Sequence, residues 1–411
     1  MIKEIYQRTL KETTVSVVQT KIDAIKRKNI IKTGLRVYDG SSIGIAGAIG
    51  KFDETALEKK ATENLGLKIP YPYKVSEKCA EKVIRDVPPI REEELISEIE
   101  EILAVLRKNH SLFSFSHKVK LIESIVSITN SVGLDLFSRN LFYDFTLLIK
   151  ENSSSSIFDG VFSVESRKYN RKEILRLIDE FCNVYQSKVQ RPKEKRVPVI
   201  FSTNEFLPVS KLTSELSGWM VGTKSSILTE KIGTQAFNPH FSFVQTRHPD
   251  ETMSPFFDAE GVVNKNYEYD LIKDGKIIHP FTDKKTAAKF SLPLTGSADS
   301  EYDGVPMLGA GEVKIVESAH SLKKLLAGRI GIHAMLCSGG NFTSKGDFGT
   351  PVQLAFLHDG EKYTGCLPQI KISSSLFEMF GDRFLGVSKD FINPLSLARY
   401  LVIEMDVEKL G

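Results

Sequence analysis

The segment at residues 188–196, K-V-Q-R-P-K-E-K-R, divides this chain into two textures and constrains its fold more than any other feature. Before it, helical periodicities alternate with strand patterns. After residue 235 the chain turns to short strands punctuated by Gly, Asp and Pro, with short helices at 283–290 and 321–328. A chain of 411 residues is long enough for two cores. The expectation is an α+β fold: an N-terminal domain over 1–190 and a β-rich C-terminal domain over 191–411. Pro88-Pro89 marks a further break, giving subregions 1–88 and 89–190. No internal repeat is evident.

Local patterns fill in this outline. Residues 1–28 read as an amphipathic helix with a Lys-rich face. Residues 34–46 read as a hairpin turning at Asp39-Gly40. Residues 53–65 form a helix capped by Asp53. Leu95, Ile99, Leu103 and Leu106 recur at helical spacing over 91–109, and Glu92, Glu93 and Glu94 lie in the first turn, where they favour the helix dipole. Residues 113–149 alternate as strands around a turn at 130–133, with 134–137 and 141–149 as separate candidates. Residues 153–156 are a surface loop. Ile174, Ile178, Phe181 and Tyr185 give the helix at 171–185 its apolar face.

Composition excludes several classes. Lys and Arg number 55 against 52 acidic residues, a net charge of +3, too balanced for a nucleic-acid partner. No apolar run approaches the roughly 20 residues of a membrane span. The N-terminus has no apolar region of the signal-peptide type. Cys79, Cys182, Cys337 and Cys366 stand far apart, as free thiols do in a reducing cytoplasm, the expected location.

A helical zinc site needs two histidines on neighbouring turns and a Glu beside one of them. None of the 8 histidines precedes Glu. His240 and His248, with Asp250 and Asp258, could form a loop-built site, although solvated loop histidines are the plainer reading. Cys337-Ser338-Gly339-Gly340 lacks the setting of a nucleophile elbow and reads as a turn between strands. Leu308-Gly309-Ala310-Gly311 lacks the pattern of a nucleotide loop. Asp258 and Glu260 are two residues apart and would share one face of a strand. They could serve as acid and base, or pin a bend at Gly261 through backbone hydrogen bonds.

Several of these segments together resemble the TldD/PmbA family, long described as modulators of DNA gyrase and regarded as metallopeptidase subunits. The similarity runs through Phe257-Asp258-Ala259-Glu260-Gly261, Leu271-Ile272-Lys273-Asp274-Gly275, Thr286-Ala287-Ala288-Lys289 and Thr295-Gly296-Ser297-Ala298. It continues through Ser344-Lys345-Gly346-Asp347-Phe348 (one residue longer than the family's element), then 357–361 and 385–390. The hairpin at 34–47 also fits.

In that family the TldD kind carries H-E-x-x-x-H on a helix, with a cysteine after the closing element. The TldE kind lacks both. Here the corresponding stretch is Ser214-Glu215-Leu216-Ser217-Gly218-Trp219, and no cysteine follows Asp390. A hydroxyl and an indole N–H cannot replace two imidazoles on zinc. Ser225-Ser226-Ile227-Leu228 and Lys231-Ile232-Gly233 still match, so a helix stripped of its metal chemistry is expected. Trp219 would fill the volume of a lost ligand, and Glu215 would pair with a base.

The resemblance implies curved, barrel-like C-terminal sheets and a TldE-type subunit without catalytic or metal residues of its own. It implies a TldD-like metallopeptidase partner holding the zinc, and an unfolded peptide substrate bound in a chamber as an added strand. The degenerate helix contributes Ser214, Glu215, Gly218 and Trp219. Asp258, Glu260, Gly261, Thr295, Gly296, Gly346, Asp347 and Phe348 are expected to line the chamber or an interface. A homodimeric peptide-binding module is the alternative, and a lone hydrolase built on His240, His248, Asp258 and Glu260 is a third.

Overall fold

The computed structural model describes residues 1–410. Its N-terminal half is built on long antiparallel ribbons. Strands β1 (Ile2–Val18) and β2 (Lys21–Tyr38) form one hairpin, and β3 (Ser42–Ile49) extends it through the turn at Asp39-Gly40. Helix α1 (Glu54–Glu63) is capped by the Asp53 carboxylate, which accepts the Ala56 N–H. Strands β4 (Ile69–Pro70) and β5 (Cys79–Arg85) and helix α2 (Glu92–Asn109) follow. A second ribbon joins β6 (Phe113–Asn130) to β7 (Leu134–Glu151), then come β8 (Gly160–Ser166) and helix α3 (Arg171–Gln186). The sheet runs β4-β3-β2-β1-β6-β7, and the outer edge of β7 is shared by parallel β5 and antiparallel β8.

Residues 1–28 are therefore not a helix. Thr13 to Val18 is rich in β-branched side chains, which suit a strand. The reversal falls on Gln19 and Thr20, both at positive φ (46° and 61°), without glycine. Tertiary bonds hold it: Thr20 N–H donates to the Phe115 carbonyl (2.7 Å), and Arg107 donates to the Thr20 carbonyl (2.7 Å). Residues 134–137 and 141–149 are likewise one strand rather than two.

Strand β9 (Arg196–Ser202) opens the C-terminal half, followed by helices α4 (Ser210–Glu215) and α5 (Gly218–Gly222). A small sheet has the order β12-β11-β10-β15, built from β10 (Phe243–Thr246), β11 (Glu268–Lys273), β12 (Lys276–Ile277) and β15 (Val313–Ile315). Between these lie α6 (Lys284–Phe290) and the pair β13 (Ala298–Asp299) and β14 (Met307–Leu308). After α7 (Leu322–Leu326) come β16 (Gly331–Cys337), β17 (Asn341–Phe342), β18 (Asp347–His358), β19 (Tyr363–Cys366) and β20 (Ile370–Ser375). Helix α8 (Leu376–Met379), β21 (Phe384–Phe391) and β22 (Arg399–Lys409) complete the fold.

Strands β9, β22, β20, β18 and β16 pair in a ring, closing a five-stranded barrel. The fold is α+β with a β-rich C-terminal half, as the sequence implied. Strand β18 alternates between two cores. Val352 faces the barrel interior with Phe201, Ile372 and Met405; the register shifts at Gln353, the phase flips, and Leu354 and Phe356 pack outward on α3 and the N-terminal sheet while Ala355 takes the interior. A smaller cluster seats Phe256, Phe257, Ala259 and Ala298 against Tyr6, Ile128 and Leu136 of the N-terminal sheet. No described helix is long and apolar enough to cross a membrane.

Candidate functional site

Four of the segments singled out in the sequence converge on α6. Residues 258–261 form a turn, not a strand, so Asp258 and Glu260 do not share a strand face. Gly261 permits the reversal with φ +70°, and a Cβ there would stand 2.5 Å from a Leu134 methyl carbon. One Asp258 oxygen accepts the N–H groups of Glu260 and Val262, both at 2.9 Å, and the other accepts that of Ala298 at 2.9 Å. Burial pushes this carboxyl up from its ordinary value, while Arg247 and the backbone bonds pull it down.

Glu260 reaches the opposite way. Its carboxylate accepts the Tyr71 hydroxyl (2.6 Å) and the backbone N–H of Lys284 (2.9 Å), at the start of α6. Burial, then the charge of Asp258, raise its pKa to about 7. Lys284 Nζ donates to the Glu260 carbonyl (3.2 Å) and to Ser76 Oγ (3.0 Å), and burial lowers its pKa. Arg36, with no exposed surface, donates to the Ala259 carbonyl (2.7 Å) and to Glu4 (3.1 Å), which also accepts the Tyr38 hydroxyl (2.9 Å). The turn is thus bolted to strands β1 and β2. These partners were missed in the sequence. Arg36 had the alternation of an outward strand residue, and nothing local marks it as buried.

The T-G-S strap closes the same neighbourhood. Thr282 N–H donates to Thr295 Oγ1 (2.8 Å), Thr295 N–H returns to Thr282 Oγ1 (3.1 Å), and Gln245 Nε2 donates to the Thr295 and Gly296 carbonyls. Gly296 has φ +71°. Both Thr295 and Ser297 are buried.

The stretch 214–219 is not one helix. It breaks between α4 and α5 because its backbone pairs with residue 281: Phe281 N–H donates to the Leu216 carbonyl and Gly218 N–H to the Phe281 carbonyl, both at 2.9 Å. A Cβ on Gly218 would stand 2.7 Å from that carbonyl. Ser214 is exposed. Glu215 is buried, pairs with Lys211 Nζ at 2.5 Å, and accepts the Ile227 N–H at 2.8 Å. Trp219 does not fill a core. It is 42% exposed, edge-on to Phe290 (5.6 Å) and beneath Lys289 Nζ (4.2 Å), since α5 ends at the surface. This donor set does not fit zinc: the indole offers only an N–H, and the one carboxylate is committed to a lysine.

Gly346, Asp347 and Phe348 lie farther off. Gly346 turns at φ +94°, Thr343 Oγ1 donates to Asp347 (3.1 Å), and Phe348 packs on Phe342 (4.7 Å). Ile227 and Leu376 lie against Gly346, linking this turn to the Glu215 helix. Asp258 is enclosed by its turn, His248 accepts the Asp250 N–H, and His240 is exposed. Among the described residues no three His, Cys, Asp or Glu side chains are grouped to hold a metal. Cys337 is a free thiol pushed up to about 12 by burial, unsuited to nucleophilic attack.

Comparison with known proteins bears on this arrangement. Residues 194–408, more than half of the chain, match the model of the PmbA/TldA metallopeptidase C-terminal domain. TldE from Thermococcus kodakarensis superposes with a TM-score of 0.78 at 18% identity, covering 100% of this chain and 97% of that one. A protein described as a modulator of a DNA gyrase from Thermotoga maritima gives 0.77 at 18% identity, covering 99% and 96%. A protein similarly described from Bacteroides thetaiotaomicron gives 0.78 at 16%, covering 100% and 95%. At such identities the structural likeness establishes the fold. No curated protein matches the sequence significantly. By the match over its C-terminal half, this chain belongs to the PmbA/TldD metallopeptidase family, and it does so without an H-E-x-x-x-H sequence.

Proposed function

We propose that this chain is a TldE-type subunit without hydrolytic chemistry of its own, acting beside a TldD-like metallopeptidase that carries the zinc and cleaves unfolded peptides. One observation carries the reading. Ser214 and Trp219 stand where the family's metal-binding histidines would, and Glu215 between them is held by Lys211 and the Ile227 N–H. Zinc-assisted hydrolysis needs neutral imidazoles or carboxylates on the metal and an unencumbered base for its water. The T. kodakarensis protein named TldE has the same fold, which supports the assignment by architecture alone. The subunit's part is to shape the space in which an extended peptide pairs its backbone with a sheet edge.

The test is to express the chain alone and with an H-E-x-x-x-H-bearing family member from the same cell. The pair should co-elute at equal stoichiometry and cleave an unstructured labelled peptide, while the lone chain holds no stoichiometric zinc and cleaves nothing. Stoichiometric zinc and cleavage by the lone chain, both lost in Glu215→Ala, would overturn the reading. Elution as a self-dimer that ignores the partner would favour the peptide-binding module instead.

A further inference from the structure

We infer that a second site, sharing no lining residue with the α4–α5 pair, binds acidic stretches of extended polypeptide. It is a cleft of about 1070 Å³ where the loops at 154–159 and 187–193 meet barrel strands β16, β18 and β22 and the adjoining β19. Lys188, Arg191, Lys193 and Lys409 line it. Among the described residues none of the four is paired with a carboxylate. Lys188 Nζ rests on the Tyr185 ring (3.6 Å) and near Cys366 Sγ (3.5 Å), and Arg191 reaches only backbone carbonyls, those of Pro192 and Val407. The single carboxylate in the lining, Asp159, is taken up by Ser154 Oγ (2.6 Å) and the Glu151 N–H (2.8 Å).

This concentration of charge is not inherited from the whole chain, which carries only +3. Four like charges in one concave space repel one another and raise the local concentration of anions. The walls between them are aliphatic, including Val189, Leu336, Leu354 and Leu367, and Ile157 stands 93% exposed among the lining residues.

Cations and an aliphatic wall describe a polypeptide carrying Asp or Glu among apolar residues. Nucleic acid fits less well. Single strands need a series of free aromatic faces. Here the Tyr185 ring is already covered by Lys188 and stacked on Phe181, leaving Phe158 alone. The inference rests on the peptide-handling reading above and adds the residue class that the subunit favours. Asp- and Glu-rich segments would be retained here while other parts of the same peptide reach the partner.

Fluorescence anisotropy on the full chain tests it, using an amidated, labelled peptide of alternating Glu and Leu. The same peptide with Gln for Glu, a version with Gln and a free terminal carboxylate, and a single-stranded DNA oligonucleotide serve as comparisons. The Glu peptide should bind roughly tenfold more tightly than either Gln peptide and weaken roughly tenfold from about 50 to about 300 mM salt. Arg191→Glu with Lys193→Glu should weaken it at least tenfold again, and Lys409→Glu severalfold, with unchanged melting temperature. Equal binding of Glu and Gln peptides to the unaltered chain would overturn the inference, whatever the variants do. Tight binding only of the free-carboxylate peptide, or of the oligonucleotide with loss in the same variants, would overturn it too. Co-elution with the TldD-like partner is read on the unaltered chain in a separate experiment, so failure of the peptide selectivity and failure of the subunit reading are told apart.

Discussion

The turn at 258–261 and the α4–α5 pair both touch α6, both lie in segments that resemble the family's pattern, and are built differently. In the turn, every carboxylate oxygen has a donor. In the helices, the positions that the resemblance sets against the metal-binding histidines hold an exposed serine and a half-exposed tryptophan. The contrast separates two kinds of signature residue. Asp258 fixes the turn and the start of β13, Glu260 ties it to Tyr71 and the start of α6, and the Ala259 carbonyl between them meets Arg36 of β2, so the fold needs them whether or not peptide bonds are cleaved. The 214 and 219 side chains carry little of the structure, so on the proposed function they would be free to change.

If that division holds, substitutions should rank accordingly. Asp258→Ala should be the most damaging. It strands three backbone N–H groups inside the protein, and at about 1–3 kcal/mol each the loss should reach roughly 5 kcal/mol. Urea unfolding monitored by circular dichroism would measure it. A loss below about 1 kcal/mol would erase the distinction between the two regions. Arg36→Met should follow at about 4 kcal/mol, since it leaves Glu4 charged, buried and short of its partner. Adding Glu4→Gln should recover a large part of that loss, and a double-mutant cycle would read the coupling directly.

The same network predicts a pH dependence. In the folded state Glu260 has a pKa of about 7, above the ordinary 4.5. Between these values the folded chain holds a proton that the unfolded chain releases. Stability therefore falls as pH rises through that window, by about 3 kcal/mol once both states are ionised. Glu260→Gln should flatten the profile between pH 4.5 and 7, at the cost of one of the two oxygens that accept from Tyr71 and Lys284. An unchanged slope would mean that Lys284 and Tyr71 hold the carboxylate ionised.

Much of this architecture could be read in advance where the determinants are local. Helices α2 and α3 follow their apolar periodicity, Asp53 caps α1, and Asp39-Gly40 turns β2 into β3. The first ribbon was hidden because Gln19-Thr20 is no turn signal by itself; Phe115 and Arg107 impose it from a distance. The break between α4 and α5 was hidden for the same reason, because Phe281 imposes it. At the turn, Gly261 and the two carboxylates announced a bend, but Tyr71, Ser76, Arg36 and Lys284 are brought to it only by the packing of the two halves. Sequence motifs marked where partners would gather without naming them.

The smallest effect should come from Trp219, the one tryptophan in the chain. Trp219→Ala removes an edge contact with Phe290 and the cation–π contact with Lys289 from a ring that is 42% exposed. Solvent already reaches the indole, so little apolar area returns to water, and the loss should be about 1 kcal/mol. The unaltered chain should also show the red-shifted emission of a partly hydrated indole, a signal that Trp219→Ala abolishes. If the substitution instead cost as much as Asp258→Ala, the helices would be as structural as the turn. The tryptophan at 219 would then answer a demand of packing rather than the release from metal binding that the proposed function implies.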